Sequence, residues 1–307
     1  MTQFCHHLPL LLILCLFVTV AGCTGDTFSH GTVADENGLP AGERMVLTIN
    51  DIEVAFRWCP PGTFMMGTPA GTPGRNPNEF PQHQVTLTRG FWMAETQVTQ
   101  ELWESVMENN PSQFHPSQTN PINIVAPSGA ERVADLTAEQ IARLPVERVS
   151  WNDSQQFIER LNTMSIAPPG FKFSLPTEAQ WEYACRAGTT TAFYFGDTLS
   201  QEQGNFGLNV NRALGGRTAE VGSYPANAWG LYDMHGNVWE WCLDLFGYYS
   251  AGTVTDPTGV EESPHRAARG GTWRTGAEDC WSSVRRRSLA TLRGMDVGLR
   301  IALVRAE

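Results

Sequence analysis

Positive charge is scarce in this sequence. Its 307 residues include 21 Lys and Arg against 32 Asp and Glu, which gives a formal net charge of -11. A surface of that sign cannot neutralise the phosphates of a nucleic acid or the head groups of anionic lipids. We therefore exclude nucleic acid as a partner. The sequence also lacks internal repeats and low-complexity runs, so nothing in it predicts a repeat architecture.

Long apolar runs are also missing, apart from one near the start. Residues 8–20 are almost entirely Leu, Ile, Val and Phe, a run typical of a signal peptide and short for a membrane-spanning helix. It ends in Val20-Ala21-Gly22-Cys23, which resembles a bacterial lipobox with cleavage before Cys23 and acylation of its thiol. We expect a signal peptide over residues 1–22 and a lipoprotein of the periplasm or cell surface, held at the membrane through Cys23 alone. Ordinary secretion is the alternative, because no Lys or Arg precedes the run.

Four cysteines remain after the signal peptide and the lipidated residue are set aside. They are Cys59, Cys185, Cys242 and Cys280. The expected compartment is one in which disulfides persist, but sequence cannot choose among the possible pairings.

The rest of the chain divides into a polar tether and one folded domain. Residues 23–44 have little apolar content, as expected of a solvated tether. Residues 45–307 form the domain, with a looser insertion at 117–144 that we place on the surface. Short elements joined by turn-rich segments predict a mixed α+β fold with little regular secondary structure.

Periodicity and capping signals predict the regular elements of the domain. Apolar residues alternate in a strand after the turn at Asn50-Asp51, and they alternate again from Val297 to Leu303 in a closing strand. Helices are predicted at 99–108, 137–144, 150–164 and 177–188, each with its own start signal.

Seven stretches of this domain together resemble one known family. In order, they are 58–67 (WCPPGTFMMG), 95–100 (ETQVTQ), 145–153 (PVERVSWND), 175–188 (LPTEAQWEYACRAG), 230–241 (GLYDMHGNVWEW), 269–273 (RGGTW) and 298–300 (GLR). Their order and spacing resemble the formylglycine-generating enzyme (sulfatase-modifying factor) family. The resemblance implies an irregular α+β fold with a core similar to that of C-type lectins.

The activity that the resemblance implies is oxidation of a sulfatase cysteine to formylglycine, with copper and oxygen. In the family, two cysteines five residues apart bind Cu(I), and the corresponding positions here are Thr275 and Cys280. Cu(I) is a soft ion that favours thiolates, whereas threonine offers a hard neutral hydroxyl. The replaced residue therefore puts the oxidation in doubt.

Cys280 remains the candidate catalytic residue, and three interpretations of it stay open. It could form a structural disulfide with Cys242, remain a free structural thiol, or act as a functional thiol. A further hypothesis is that Cys242 replaces the missing copper ligand.

The resemblance also implies a structural calcium ion. Carried onto this chain, Asp233 and Glu240 would supply carboxylates, while Gly236 and Val238 would supply backbone carbonyls. A second calcium site would use Asn205, although its partner acid is absent.

Several further positions have two interpretations. Gln97 stands where the family usually carries an acid, and it either lines a substrate groove or faces solvent. Gly270-Gly271 is not a phosphate loop, because no Lys-Ser/Thr follows, and tight packing or positive φ explains it better.

The histidines His83, His115, His235 and His265 lack metal-ligand spacing and are predicted at the surface or in turns. The arginines Arg285, Arg286 and Arg287 are predicted to divide between solvent and buried carboxylates.

Two functions are compatible with the sequence. The first is an extracytoplasmic oxidase that acts on a protein or peptide through Cys280. The second is a non-catalytic, calcium-stabilised, lectin-like module that binds a partner at the cell envelope. The missing thiolate favours the second, since a fold does not by itself confer an activity.

Overall fold

The computed structural model describes Met1 and residues 38–119, 128–207 and 216–306. The predicted signal peptide, the lipidation site at Cys23 and most of the predicted tether lie outside these residues. Within the described ranges, no helix combines the length and the apolar character needed to cross a membrane.

The described residues form five α-helices and twelve strands. The helices are α1 (Gln100–Met107), α2 (Gly129–Arg132), α3 (Ala138–Ala142), α4 (Trp151–Thr163) and α5 (Glu178–Arg186). The strands are β1 (Arg44–Ile49), β2 (Ile52–Cys59), β3 (Gly62–Met66), β4 (His83–Leu87), β5 (Phe91–Ala94), β6 (Phe171–Ser174), β7 (Trp239–Leu245), β8 (Thr253–Thr255), β9 (His265–Arg269), β10 (Arg286–Leu289), β11 (Val297–Gly298) and β12 (Ala302–Arg305).

The predicted helices begin at the predicted caps. The side chains of Thr99, Ser150 and Thr177 each accept a backbone N–H from the first turn of their helix, which satisfies donors that have no partner inside the helix. The apolar faces of α1 and α4 then meet, with Trp103 stacked on Phe157 at a centroid distance of 5.0 Å. Local sequence thus fixes where these helices start, and packing holds them.

The largest sheet has five strands in the order β1-β2-β5-β12-β6. All neighbours in it are antiparallel. Its core contains Phe56, Trp58 and Phe173, together with the apolar faces of α1 and α4. The C-terminal strand β12 therefore lies inside this sheet, between β5 and β6.

The predicted closing strand is divided into two strands that belong to different sheets. β11 pairs in parallel with β7, whereas β12 pairs with β5 and β6. Leu299, Arg300 and Ile301 lie between them, and all three are fully buried. Because both faces of this segment are covered, its alternation does not mark one solvent face, and the prediction of a single strand was wrong.

The other two sheets are smaller and hold the second half of the core. They have the strand orders β3-β4-β8 and β10-β9-β7-β11. α5 packs against this region, where Arg269 pairs with Glu182 and Arg285 donates to both oxygens of Glu178. These charges are buried, and each has an opposite partner, as burial requires.

The folded domain begins before residue 45, and the predicted insertion is packed against it. Leu39 packs on the main core, and the Gly42 amide donates to the carbonyl of Trp58, so the end of the predicted tether is ordered. In the described part of 117–144, Ile141 packs with Phe114 and Trp273 in a small separate cluster. The insertion is therefore anchored by its own apolar residues.

Candidate functional site

Cys280 ends a short 3-10 turn, Ala277–Cys280, and is fully buried. Its Sγ lies 3.9 Å from the Oγ1 of Thr275 and 3.6 Å from the carbonyl oxygen of Gly276. Phe193 packs against it in the same cluster. Burial raises the pKa of the Cys280 thiol to about 12, so it is protonated at neutral pH.

The RGG motif brings its backbone close to this thiol. Gly270 and Gly271 have φ values of 105° and 77°, in the region that favours glycine. A Cβ at position 271 would overlap the Sγ of Cys280 and lie 2.9 Å from the carbonyl oxygen of Asp279. The prediction that these glycines serve close packing is confirmed.

A disulfide between Cys242 and Cys280, one of the three interpretations of Cys280, is not formed, since all four described cysteines are free and buried. Cys242, on β7, packs with Cys59 and Cys185 in the core beside α5. Cys280 instead packs with Phe193 in a different cluster. Because the two thiols face different parts of the core, Cys242 does not replace the missing copper ligand either.

His235 lies in a turn, as one of the two predictions for it has it, but it is not at the surface. It is 1% exposed. Its Nδ1 donates to the carbonyl of Cys280 at 2.8 Å, and its Nε2 accepts from the amide of Tyr194 at 3.1 Å. Burial lowers the pKa of this imidazole to about 3. Both ring nitrogens are thus occupied, and the neutral ring has no free lone pair with which to act as a base.

The predicted calcium ligands do come together, but around a side-chain nitrogen. The Nε2 of Gln97 lies 3.0 Å from the Oε1 of Glu240, 3.4 Å from the carbonyl oxygen of Asp233, and 3.5 Å from the carbonyl oxygens of Gly236 and Val238. Gln97 is buried and does not face solvent, and it is also one of the residues that line a cleft. We call these four oxygens the oxygen cage.

Asp233 differs from its predicted role, because the oxygen with which it contacts Gln97 is its backbone carbonyl. Its Oδ2 accepts from the amide of Gly222 at 2.7 Å, and its Oδ1 is buried without a hydrogen-bond partner. Burial raises the pKa of this carboxyl to about 6. Asp233 therefore contributes its backbone carbonyl to the cage and leaves Glu240 as the carboxylate that touches it.

Asn205, the predicted ligand of a second calcium ion, belongs to an adjoining amide network. Its Nδ2 lies 3.1 Å from the Oδ1 of Asn237 and 3.2 Å from the carbonyl oxygen of Arg217. No group of three or more His, Cys, Asp or Glu side chains able to hold a metal occurs in residues 38–119, 128–207 and 216–306. Asn205 thus directs its Nδ2 donor at these two oxygens.

Gln97 is one of the residues that line a cleft of about 470 Å³. β2, β5 and the first turn of α1 line it, and its charged side chains include Arg44, Glu53, Glu95 and Arg143. Arg44 and Arg57 both contact Glu95 Oε1, at 2.8 and 2.7 Å. Cys280 does not line this cleft, so the thiol and the cleft are separate features.

Comparison with known proteins identifies the family. A family model described as the sulfatase-modifying factor enzyme 1-like domain matches residues 53–305. The chain belongs to this sulfatase-modifying factor family. The irregular α+β fold that the sequence motifs imply is confirmed with it, while the likeness to a C-type-lectin core stays a prediction.

The relatives of this sulfatase-modifying factor family member are named for different functions. It is 32% identical to the formylglycine-generating enzyme of Streptomyces coelicolor, over 70% of this chain and 77% of that one. It is 30% identical to serine/threonine-protein kinase pkn1 of Chlamydia caviae, over 74% of this chain but only 34% of the relative, so it spans about a third of that kinase. Among solved structures, Treponema denticola variable protein 1 superposes with a TM-score of 0.68 and 25% identity, covering 84% of this chain and 98% of that one. Membership therefore fixes the fold and leaves the activity to be argued from the site.

Proposed function

We propose that this sulfatase-modifying factor family protein is a binding domain of the bacterial cell envelope that does not oxidise cysteine with copper. The observation that carries this proposal is the pairing of Cys280 with Thr275, whose hydroxyl oxygen lies 3.9 Å from the sulfur. The resemblance implies a second thiolate at that position. A neutral hydroxyl is a poor ligand for Cu(I), and one thiolate holds the ion much less firmly than two.

The surroundings of Cys280 support the same conclusion. Its thiol is buried and its pKa is raised to about 12, whereas metal binding and nucleophilic attack require the thiolate. His235 cannot take the proton, because the Tyr194 amide already donates to its Nε2. Among the described residues, no second cysteine belongs to the Cys280 cluster.

The cleft beside β2 is the best candidate for a ligand surface. Its mixture of arginine and glutamate side chains suits a polar peptide or a protein segment better than an apolar molecule. We assign it a protein or peptide partner of the envelope. The envelope location itself rests on the lipobox around Cys23.

The copper arm of this proposal is tested on the full chain, purified in detergent. Cu(I) is titrated against a chromophoric Cu(I) chelator, and a sulfatase-type cysteine peptide is incubated with the protein and oxygen, with aldehyde detected by mass spectrometry. We expect neither tight copper binding nor aldehyde. Thr275→Cys should gain Cu(I) binding, and the double variant Thr275→Cys, Cys280→Ser should lose it again. One tightly bound Cu(I) per wild-type chain, together with aldehyde, would overturn the proposal in favour of an oxidase.

The binding arm uses a peptide library displayed on phage and selected on the immobilised full chain. Glu53→Arg reverses a charge in the cleft, and Glu159→Arg reverses one on the exposed face of α4, away from the cleft. Selected peptides should lose at least tenfold affinity for the first variant and keep it for the second. Equal affinity for both variants would show that the selected peptides do not bind in the cleft, and it would contradict this part of the proposal.

A further inference from the structure

The amide of Gln97 occupies the centre of the oxygen cage. Its Nε2 has three backbone carbonyls and one oxygen of Glu240 within 3.5 Å. The side chain is 1% exposed, so these contacts are made out of reach of solvent. A carboxamide nitrogen carries two N–H donors and a partial positive charge, which suits a site lined only by acceptors.

The backbone fixes which end of the Gln97 amide faces the cage. The Oδ1 of Asn237 accepts from the amide of Ala219 at 2.9 Å, which leaves the Nδ2 of Asn237 as the donor to its other neighbours. That nitrogen donates to the Oε1 of Gln97 at 2.9 Å. Since this oxygen is the acceptor there, the Nε2 of Gln97 must point into the cage.

The charge of the Glu240 carboxylate is already paired without a metal ion. Arg300 contacts both oxygens of Glu240 at 2.9 Å, and the Nε1 of Trp181 donates to its Oε2 at 2.6 Å. Among the described residues, Glu240 supplies the one carboxylate oxygen within hydrogen-bond reach of the Gln97 Nε2. Protein calcium sites use about six to eight oxygens at roughly 2.3–2.6 Å, and several are commonly carboxylates.

The residues present therefore do not fit the calcium ion that the family resemblance implies. An ion at the centre would have to displace the buried amide and draw in oxygens that now stand 3.0 to 3.5 Å from its nitrogen. We propose that the Gln97 carboxamide takes the place of that ion, so that the GNVWEW turn is held by a covalently attached donor. The domain is then folded and stable without calcium, whatever its ligand.

This proposal is tested by thermal unfolding of the full chain with EDTA and with millimolar calcium, together with calorimetric titration of calcium. Wild type should have the same melting temperature in both conditions and should bind no calcium. Gln97→Glu should be destabilised in EDTA, because an added carboxylate would face four oxygens, and calcium should restore it by several degrees through linkage.

Gln100→Glu is the matched control. Gln100 is equally buried, but its amide donates to the carbonyl of Phe114 and lies outside the cage. This variant should lose stability without responding to calcium. A wild-type melting temperature that rises with calcium overturns the proposal. This measurement uses the wild-type protein alone, so it does not depend on whether a variant folds. A Gln97→Glu protein that responds to calcium no more than Gln100→Glu also overturns it.

Discussion

Arg300 holds both carboxylate oxygens of Glu240 at 2.9 Å, and both side chains are completely buried. Arg300 also donates to the carbonyls of Ala94, Glu95 and Tyr232. One guanidinium thus joins the segment between β11 and β12 to β5 and to the GNVWEW turn. The fork of five donors explains why arginine serves here, since lysine could not reach so many acceptors at fixed angles.

Breaking this pair should be costly. Arg300→Met leaves the Glu240 charge buried without its partner, and we expect a loss of about 3–5 kcal/mol in the free energy of unfolding. Arg293→Ala is the control, because Arg293 pairs with Asp153 at the surface and such pairs contribute about 0–1 kcal/mol. Urea unfolding measures both. Similar losses in the two variants would contradict the role given to Arg300.

Gly271→Ala should destabilise the domain through the Cys280 contact. The variant places an alanine at a φ of 77° and drives its Cβ into the sulfur, so we expect a loss of about 2–5 kcal/mol. Gly188 has a φ of 91° but open space around the Cβ position. Gly188→Ala should therefore lower the free energy of unfolding only through its unfavourable backbone conformation, by about 1–2 kcal/mol. Equal losses would mean that the contact with the thiol is unimportant.

The four buried thiols should be unreactive in the native protein. Burial raises the pKa of Cys185 and of Cys280 to about 12, and it also raises those of Cys59 and Cys242. Iodoacetamide near pH 8 should therefore label these cysteines in urea but not in buffer, as judged by peptide mass spectrometry. Ser200→Cys adds an exposed reference thiol that should react in both conditions. Labelling of native Cys280 at the reference rate would contradict its burial.

Glu147 should make the domain less stable as pH rises. Burial raises the pKa of this carboxyl to about 8, although Phe114 donates its amide to it at 3.0 Å. The unfolded chain ionises near its ordinary pKa of 4.5 while the folded chain keeps the proton. The stabilisation is therefore complete below about pH 4.5 and is lost as the pH rises through about 8.

Glu147→Gln removes this titration, and urea unfolding across the pH range measures the difference. The variant should match wild type near pH 4 and exceed it by roughly a few kcal/mol near pH 9. Glu159→Gln, at an exposed position of α4, should follow the wild-type curve throughout. A constant offset between Glu147→Gln and wild type would contradict the raised pKa.

Local signals account for the parts of the fold that the sequence predicted well. The caps Thr99, Ser150 and Thr177 lie within three residues of the donors they satisfy, so the helix starts can be recognised from short stretches. The same holds for β2, whose alternation reports one covered face. The split of residues 297–303 escaped prediction because it depends on partners in two separate sheets.

The sequence predicted which residues form the candidate site better than it predicted what those residues do there. The oxygens of Gly236, Val238 and Glu240 were correctly expected to converge. The group on which they converge, Gln97, comes from a point about 140 residues earlier in the chain. His235 is likewise covered by the rings of residues 193–195, which lie about 40 residues earlier in the chain, and no local pattern reports that. The signal in the sequence that points to Gln97 is that it replaces the acid which the family usually carries at this position.

The position of β12 bears on how the protein is made. Residues 302–305 supply the strand that joins β5 to β6, so a nascent chain that still lacks them has two unpaired strand edges in its main sheet. The sheet can close only after residues 302–305 have been synthesised, and long-range pairing of this kind slows folding. Chains truncated before β12 should consequently expose edges that pair with other chains and aggregate.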